Sequence, residues 1–169
     1  MSKYAFLVSS ALGFDAEEAN TMSVACILHD VGKINTPREL LITKNELNQA
    51  DWKLIEEHTV QGAVILESKS SLILQTGATI ALSHHERWDG SGYPRKLKGR
   101  DIPMGGRICA VIDVFDALTT RRSYKGIIPE QEALQLLKEN SGKLFDPEVI
   151  SAFEKEFVEI KRIKLSLEV

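Results

Sequence analysis

Cysteine is scarce in this chain: Cys26 and Cys109 stand in separate apolar runs, and no CxxC spacing occurs. A disulfide framework and a thiolate zinc site are both excluded on that count. The two residues read as buried free thiols of a protein in a reducing cytoplasm. Basic residues are not in excess either. The 21 Lys and Arg against 24 Asp and Glu leave a formal charge of −3, with no basic stripe. That argues against a DNA or RNA backbone binder but leaves room for a small phosphodiester ligand. No apolar run approaches the roughly 20 residues a bilayer span needs, so no membrane segment is expected. The first residues lack the charged start, apolar run and small-residue cleavage site of a signal peptide. Alternating β-branched stretches are missing, which argues against strands, and no repeat or low-complexity segment stands out.

What is present fits one domain with a real core: 169 residues, 43% hydrophobic and 27% charged. Start and stop signals divide the chain into about eight helices, an all-α fold. The first runs from Tyr4 to Leu12 and ends at Gly13. Asp15 caps the second, with Glu18 completing a capping box, and the run carries through His29-Asp30 to a stop at Gly32. Thr36-Pro37 opens a short helix to about Leu41, with Pro at the first helical position. Asn48 caps a helix that arrives at His58, and Gln61 to Leu66 is a further helical piece. Leu72 to Ser83 follows the turn at 69–71. Ile108 to Leu118 is apolar on most sides and reads as the central helix. Glu130 to Asn140 and Asp146 to Phe157 are the last clear helices, before a charged tail over 159–169.

The chemistry-bearing residues are few. The four histidines, His29, His58, His84 and His85, each fall at the C-terminal end of a helical run. Asp30 follows His29, and Asp113 lies inside the apolar central helix, where an unpartnered carboxylate is costly. Imidazole with carboxylate suits iron, manganese, zinc or nickel, and a carboxylate such as Asp30 can bridge two ions. A single helix-end histidine is more often a capping residue, and His58 alone reads that way. Adjacent His84-His85 followed by a Gly-, Asp- and Trp-rich loop is harder to assign to packing. Together the set points to metal binding.

His29-Asp30-Val31-Gly32-Lys33 and the stretch from His84 to Pro94 (HHERWDGSGYP) resemble the HD-GYP family, a subgroup of HD metal-dependent phosphohydrolases. The resemblance continues through Glu57-His58, Arg107-Ile108, Asp113 to Leu118 and Arg122 to Lys125, and ends near Phe145-Asp146-Pro147. It implies a helical bundle holding two or three divalent ions, often iron or manganese. It also implies a bacterial phosphodiesterase that hydrolyses cyclic di-GMP to pGpG, sometimes GMP, in second-messenger signalling. On this reading His29, Asp30 and Asp113 hold one ion, and Asp30, His58, His84 and His85 the second. Together the ions lower the pKa of a shared water. Asp30 and Lys33 are then catalytic, Lys33 also neutralising a phosphate oxygen. Tyr93 matches a substrate-facing tyrosine, and Arg122 and Lys125 match a basic pair near guanine and phosphate. Asp89 and Arg107 are expected to brace the loop. Lys33 taken alone is an ordinary helix-end lysine, and the GYP loop taken alone a rigid surface turn.

Departures from the family pattern set further expectations. Members carry a His or Glu shortly before the stretch matching Lys3-Tyr4-Ala5, and here none precedes Tyr4. The domain over 1–158 thus reads as truncated in its first helix, with one ligand and the third ion in question. Ser123 and Thr59 stand where proline is usual, Thr59 being a workable helix cap. Alternatives to the enzyme are a non-catalytic cyclic-dinucleotide receptor, or a module that docks a diguanylate cyclase (GGDEF) domain through the GYP loop. A phosphodiesterase for another cyclic dinucleotide, such as cyclic GMP-AMP, is a third, and a homodimer is allowed for.

Overall fold

The computed structural model describes residues 1–43, 45–120 and 128–166. Over these residues the expected all-α class holds: there is no strand, and one isolated bridge joins Ser141 to Phe145. Helix α1 (Ser2–Ala11) ends before Gly13, whose φ of +93° closes it. Helix α2 (Ala16–Ala25) begins at the expected capping box. The Asp15 carboxylate accepts from the amides of Glu17 and Glu18, while the Glu18 carboxylate accepts from the Asp15 amide.

The run expected to reach Gly32 stops earlier. α2 gives way at Ala25 to 3-10 turns over Cys26–Leu28 and Val31–Asn35. Gly32 is therefore not a helix stop. It is buried at a crossing with α5 (His58–Ile65), and a Cβ there would strike the His58 carbonyl oxygen and the Gly62 amide nitrogen. Only glycine admits so close an approach of two backbones. The tight turns bring Asp30 beside His58.

Helix α3 (Arg38–Ile42) follows Pro37, which occupies the N-cap rather than the first helical position. Helix α4 (Gln49–Glu56) has the Asn48 cap expected of it, reinforced by Asp51. α4 and α5 break at Glu57, so His58 opens a helix instead of ending one. Carbonyls left over by the break are taken by side chains: Thr59 Oγ1 donates to Glu56 O at 2.8 Å, and His58 Nδ1 sits 2.5 Å from Ile55 O. Thr59 thus caps the end of α4 rather than the start of α5.

Helix α6 (Leu72–Ser83) is capped by Ser71. Helix α7 (Met104–Thr119) begins one turn before the expected Ile108. Helices α8 (Glu130–Glu139), α9 (Pro147–Lys155, capped by Asp146) and α10 (Phe157–Leu165) complete the described chain. No helix among the described residues is long and apolar enough to cross a membrane.

α7 is the axis of the core, as its composition foretold. Its Ile108, Cys109, Val111, Ile112 and Phe115 are fully buried. Phe115 meets Tyr4 edge-on at 6.1 Å, Phe153 at 5.0 Å and Phe157 at 6.2 Å, tying α1, α9 and α10 to one ring. Burying such a ring contributes about 2–3 kcal/mol. The segment read as a charged tail begins inside α10, where Ile160 is fully buried and Lys164 Nζ donates to Thr119 O at 2.6 Å. The far side of α7 faces α6 and the turns around His29, and the site lies there.

Candidate metal centre

Four elements converge on one point. The turn after α2 supplies His29 and Asp30, the start of α5 supplies His58, the end of α6 supplies His84 and His85, and α7 supplies Asp113. Among the described residues, donor atoms of Asp30, His58, His84 and His85 all lie within 4.8 Å of one another. His29 Nε2 is 3.3 Å from Asp30 Oδ2 and 3.8 Å from Asp113 Oδ1. All six residues expected to bind metal are thus brought together, with Asp30 in the middle. Its Oδ2 faces His29, and its Oδ1 lies 3.4 Å from His58 Nε2 and 3.7 Å from His84 Nε2.

The imidazoles are oriented by the backbone. Nδ1 of His29 is 2.8 Å from Cys26 O, and Nδ1 of His84 is 3.0 Å from Ala81 O; His58 makes the same contact with Ile55 O. A carbonyl oxygen only accepts, so in each ring Nδ1 carries the proton and donates. Nε2 of each ring is thereby turned inward, toward Asp30.

The consequence is a cluster of acceptor atoms turned toward one another. His58 Nε2 and His84 Nε2 approach to 3.4 Å. His29 Nε2 and Asp30 Oδ1 are buried and make no hydrogen bond. Electron-rich atoms facing one another out of water are unfavourable unless a cation sits among them. The donor set therefore fits divalent metal, with nitrogen and oxygen ligands and no thiolate. Titration behaviour agrees. Burial, with His84 and His58 nearby, pushes His85 down to about 2. Burial, with His84 and Lys33 nearby, also lowers His58, so both rings stay neutral and available as ligands. Burial opposes charge on Asp30 too, but the His29, His84 and Lys33 side chains around it hold it well below the usual carboxylate range. For His29, burial is outweighed by the neighbouring Asp30 and Asp113, and its pKa is raised.

Lys33 Nζ donates to Asp30 Oδ2 at 2.6 Å and remains half exposed. Tyr93 stacks on the His85 ring, centroids 4.8 Å apart at 27°, and burial pushes its hydroxyl pKa up. A cleft opens beside these groups. His84, His85, Tyr93 and Asp113 line it, with Val114 and Phe145 as apolar walls. Arg122 and Lys125 lie outside the described residues.

The loop after His85 is held at several points. Gly90 has φ +86°, and a Cβ on Gly92 would lie 2.5 Å from His85 O and 2.6 Å from Glu86 Cα. The Trp88 and Asp89 amides donate to the carbonyls of Leu144 and Lys143. Arg107 braces the loop as expected: Nε donates to Ile102 O at 2.8 Å, and the guanidinium lies 5.9 Å from the Trp88 ring. Its anchor is Asp146, 2.6 Å from Nη1 and almost fully buried. Asp89 accepts from the Ser91 amide. Glu86 was singled out by nothing in the sequence beyond its place after His85. It is buried, and its carboxylate accepts from the amides of Arg95 and Leu97.

Residues 1–149 match the HD domain family. The chain is 44% identical over 158 residues to a cyclic di-GMP phosphodiesterase of Thermotoga maritima, covering 92% of this chain and 43% of that protein. It is 37% identical over 155 residues to 3′3′-cGAMP-specific phosphodiesterase 2 of Vibrio cholerae, covering 92% and 30%. The crystal structure of a cyclic GMP-AMP specific phosphodiesterase of Vibrio cholerae superposes with a TM-score of 0.72 at 23% identity, over 99% of this chain and 45% of that one. At that identity the likeness speaks for the fold. The chain spans less than half the length of each of these relatives. With the match running unbroken through the cluster and the loop beside it, the chain belongs to the HD domain family and carries the HD-GYP signature within it.

Proposed function

We propose that this chain is the catalytic unit of a metal-dependent phosphodiesterase, acting in the cytoplasm on cyclic di-GMP to give linear pGpG, or onward to GMP. The observation that carries the reading is Asp30. One oxygen faces His29 and the other faces His58 and His84, and this second oxygen is buried without a hydrogen bond. His29, Asp30 and Asp113 would hold one divalent cation, and Asp30, His58, His84 and His85 a second, with iron or manganese suited to these donors. When bound, such a pair supplies Lewis acidity, lowering the pKa of a shared water and taking up charge on the scissile phosphate.

The chain's own groups do the rest. Lys33 gives one N–H to Asp30 and has two left for a non-bridging phosphate oxygen. Tyr93, its hydroxyl kept protonated by burial, packs on His85 and presents a donor to the cleft. Val114 and Phe145 keep one wall dry, which strengthens the polar contacts opposite. Arg122 and Lys125 complete the substrate contacts in this reading, at guanine and phosphate. Residues 1–158 are the phosphohydrolase unit and 159–169 its extension. A diguanylate cyclase domain docks on the loop after His85. Exposed Ile27, Ile34, Ile42 and Val64 support self-association as a homodimer.

The second reading, hydrolysis of cyclic GMP-AMP, is favoured by the 37% identical relative named for that substrate. Anaerobic purification, metal counting and turnover of both dinucleotides on one sample test the proposal. Two ions per chain with cyclic di-GMP hydrolysis is the expected result. Preference for cyclic GMP-AMP selects the second reading. Nucleotide binding without hydrolysis in the metal-loaded protein makes the chain a receptor and refutes the first.

A further inference from the structure

Glu86 is a buried carboxylate that forms no ion pair among the described residues. Only 3% of it is exposed, yet it follows a ligand candidate directly. A charge in that position needs hydrogen bonds to be tolerated. It finds two, both in the loop: Oε1 accepts from Arg95 N at 2.7 Å and Oε2 from Leu97 N at 3.0 Å. The residue between them, Lys96, has φ +55°, the left-handed region that a non-glycine residue enters only when held there. The two oxygens grip the backbone on either side of that residue. At the other end of the segment, Tyr93 N donates to His85 O at 3.2 Å, and Gly92 lies flat on the Glu86 backbone. Residues 92–97 are thus laced to 85–86, and Tyr93 lies stacked on the His85 ring as a result.

We infer that Glu86 is a positioning residue for substrate: by holding Lys96 left-handed it fixes Tyr93 over His85 and shapes the loop wall of the cleft. The inference rests on the proposed function for its substrate but not for its geometry. Glutamine at 86 keeps the volume and one acceptor, and turns an NH2 donor toward the other amide, so one of the two grips is lost. Glycine at 96 removes the cost of the left-handed backbone, so it makes the grip dispensable.

The test compares wild type, Glu86→Gln, Lys96→Gly and the double variant, all metal-loaded. Hydrogen exchange at the amides of Arg95 and Leu97 reports the grip. Turnover of cyclic di-GMP reports the wall, and turnover of bis(p-nitrophenyl) phosphate, too small to use the loop, reports the metal centre. In Glu86→Gln the two amides lose protection, and KM for cyclic di-GMP rises about tenfold, or about 1.4 kcal/mol. Metal content, kcat and bis(p-nitrophenyl) phosphate turnover stay at the wild-type level. Adding Lys96→Gly brings KM back toward wild type, which a general loss of stability would not allow. Unchanged exchange or unchanged KM overturns the inference. So does a fall in metal content, which would mean that Glu86 serves His85 instead of the loop. A wild type active on bis(p-nitrophenyl) phosphate but not on cyclic di-GMP refutes the proposed function, and the exchange measurement then decides this inference alone.

Discussion

Gly32→Ala is the substitution whose outcome the structure dictates most closely. The added Cβ would lie 2.9 Å from the His58 carbonyl carbon and closer still to its oxygen and to Gly62 N. Ordinary contacts of a Cβ begin near 3.4 Å, so the turn and α5 must separate by about 1 Å or more. The atoms in the way are backbone, and no side chain can rotate aside. Overpacking of this kind costs about 3 kcal/mol, the upper end of its usual range. The gain from restricting the unfolded chain, under about 1 kcal/mol, offsets little of it. For a domain of this size the net loss of about 2–3 kcal/mol lowers Tm by about 4–12 °C. The separation also draws Asp30 away from His58, the residue struck, so metal affinity falls by about tenfold or more. Gly62→Ala is the control. There the Cβ meets Ala81 Cβ at 3.1 Å and Gly32 N at 3.3 Å, which a few tenths of an ångström relieve, at about 1 kcal/mol. Thermal unfolding by circular dichroism in chelator, with calorimetric titration of Mn²⁺, measures both effects. A Gly32→Ala protein that melts within 2 °C of wild type (about 0.5–1 kcal/mol) and binds metal equally would refute the crossing as described.

Three further outcomes follow from the same geometry. Asp30→Ala removes the carboxylate common to both halves of the cluster, and metal bound per chain should fall to none, with phosphodiesterase turnover lost; a metal count equal to wild type would contradict the shared-carboxylate reading. Arg107→Met leaves the Asp146 carboxylate buried without its cation and should cost about 3–5 kcal/mol by urea unfolding; a loss under about 1 kcal/mol would show the pair to be solvated. In the metal-free protein, His58 and His85 have folded pKa values below the roughly 6.5 they take when unfolded. The unfolded state then binds more protons below that pH, so stability is complete above about 6.5 and falls as pH drops, by up to about 1.4 kcal/mol per unit for each ring. His29, raised, runs the other way and offsets part of the fall. Melting of chelated protein between pH 7.5 and 5 should show Tm decreasing; a flat or rising Tm would refute the depressed histidines.

Local signals were legible and distant ones were not. Asp15 with Glu18, and Asn48, announce helix starts because a cap and its target lie within one turn. The central helix and the cost of Asp113 inside it follow from composition alone. His29, His58, His84 and His85 were readable as a set because nothing in packing explains four imidazoles at helix boundaries. Gly32 was misread as a stop, since a glycine that ends a helix and one that admits a second backbone look identical in one dimension. The break at Glu57 was expected after His58 instead, for a related reason: it is stabilised by the side chains of His58 and Thr59 turning back on carbonyls, a choice made only in three dimensions. Arg107 could be read as a brace, but its partner Asp146 is 39 residues away, and no sequence rule pairs them. Glu86 gave no signal because its partners are main-chain amides, which every residue possesses.

That three of the four imidazoles are steered by carbonyls of their own helical turns has a consequence for how the centre endures change. In many metal sites the outer support is a set of side chains, each of which can be lost to a single substitution. Here the groups behind His29, His58 and His84 are main-chain oxygens of Cys26, Ile55 and Ala81. Replacing any of those three residues leaves its oxygen in place as long as the turn persists. The tautomers of the ligands are therefore inherited with the helix ends, and the residues around them are free to drift.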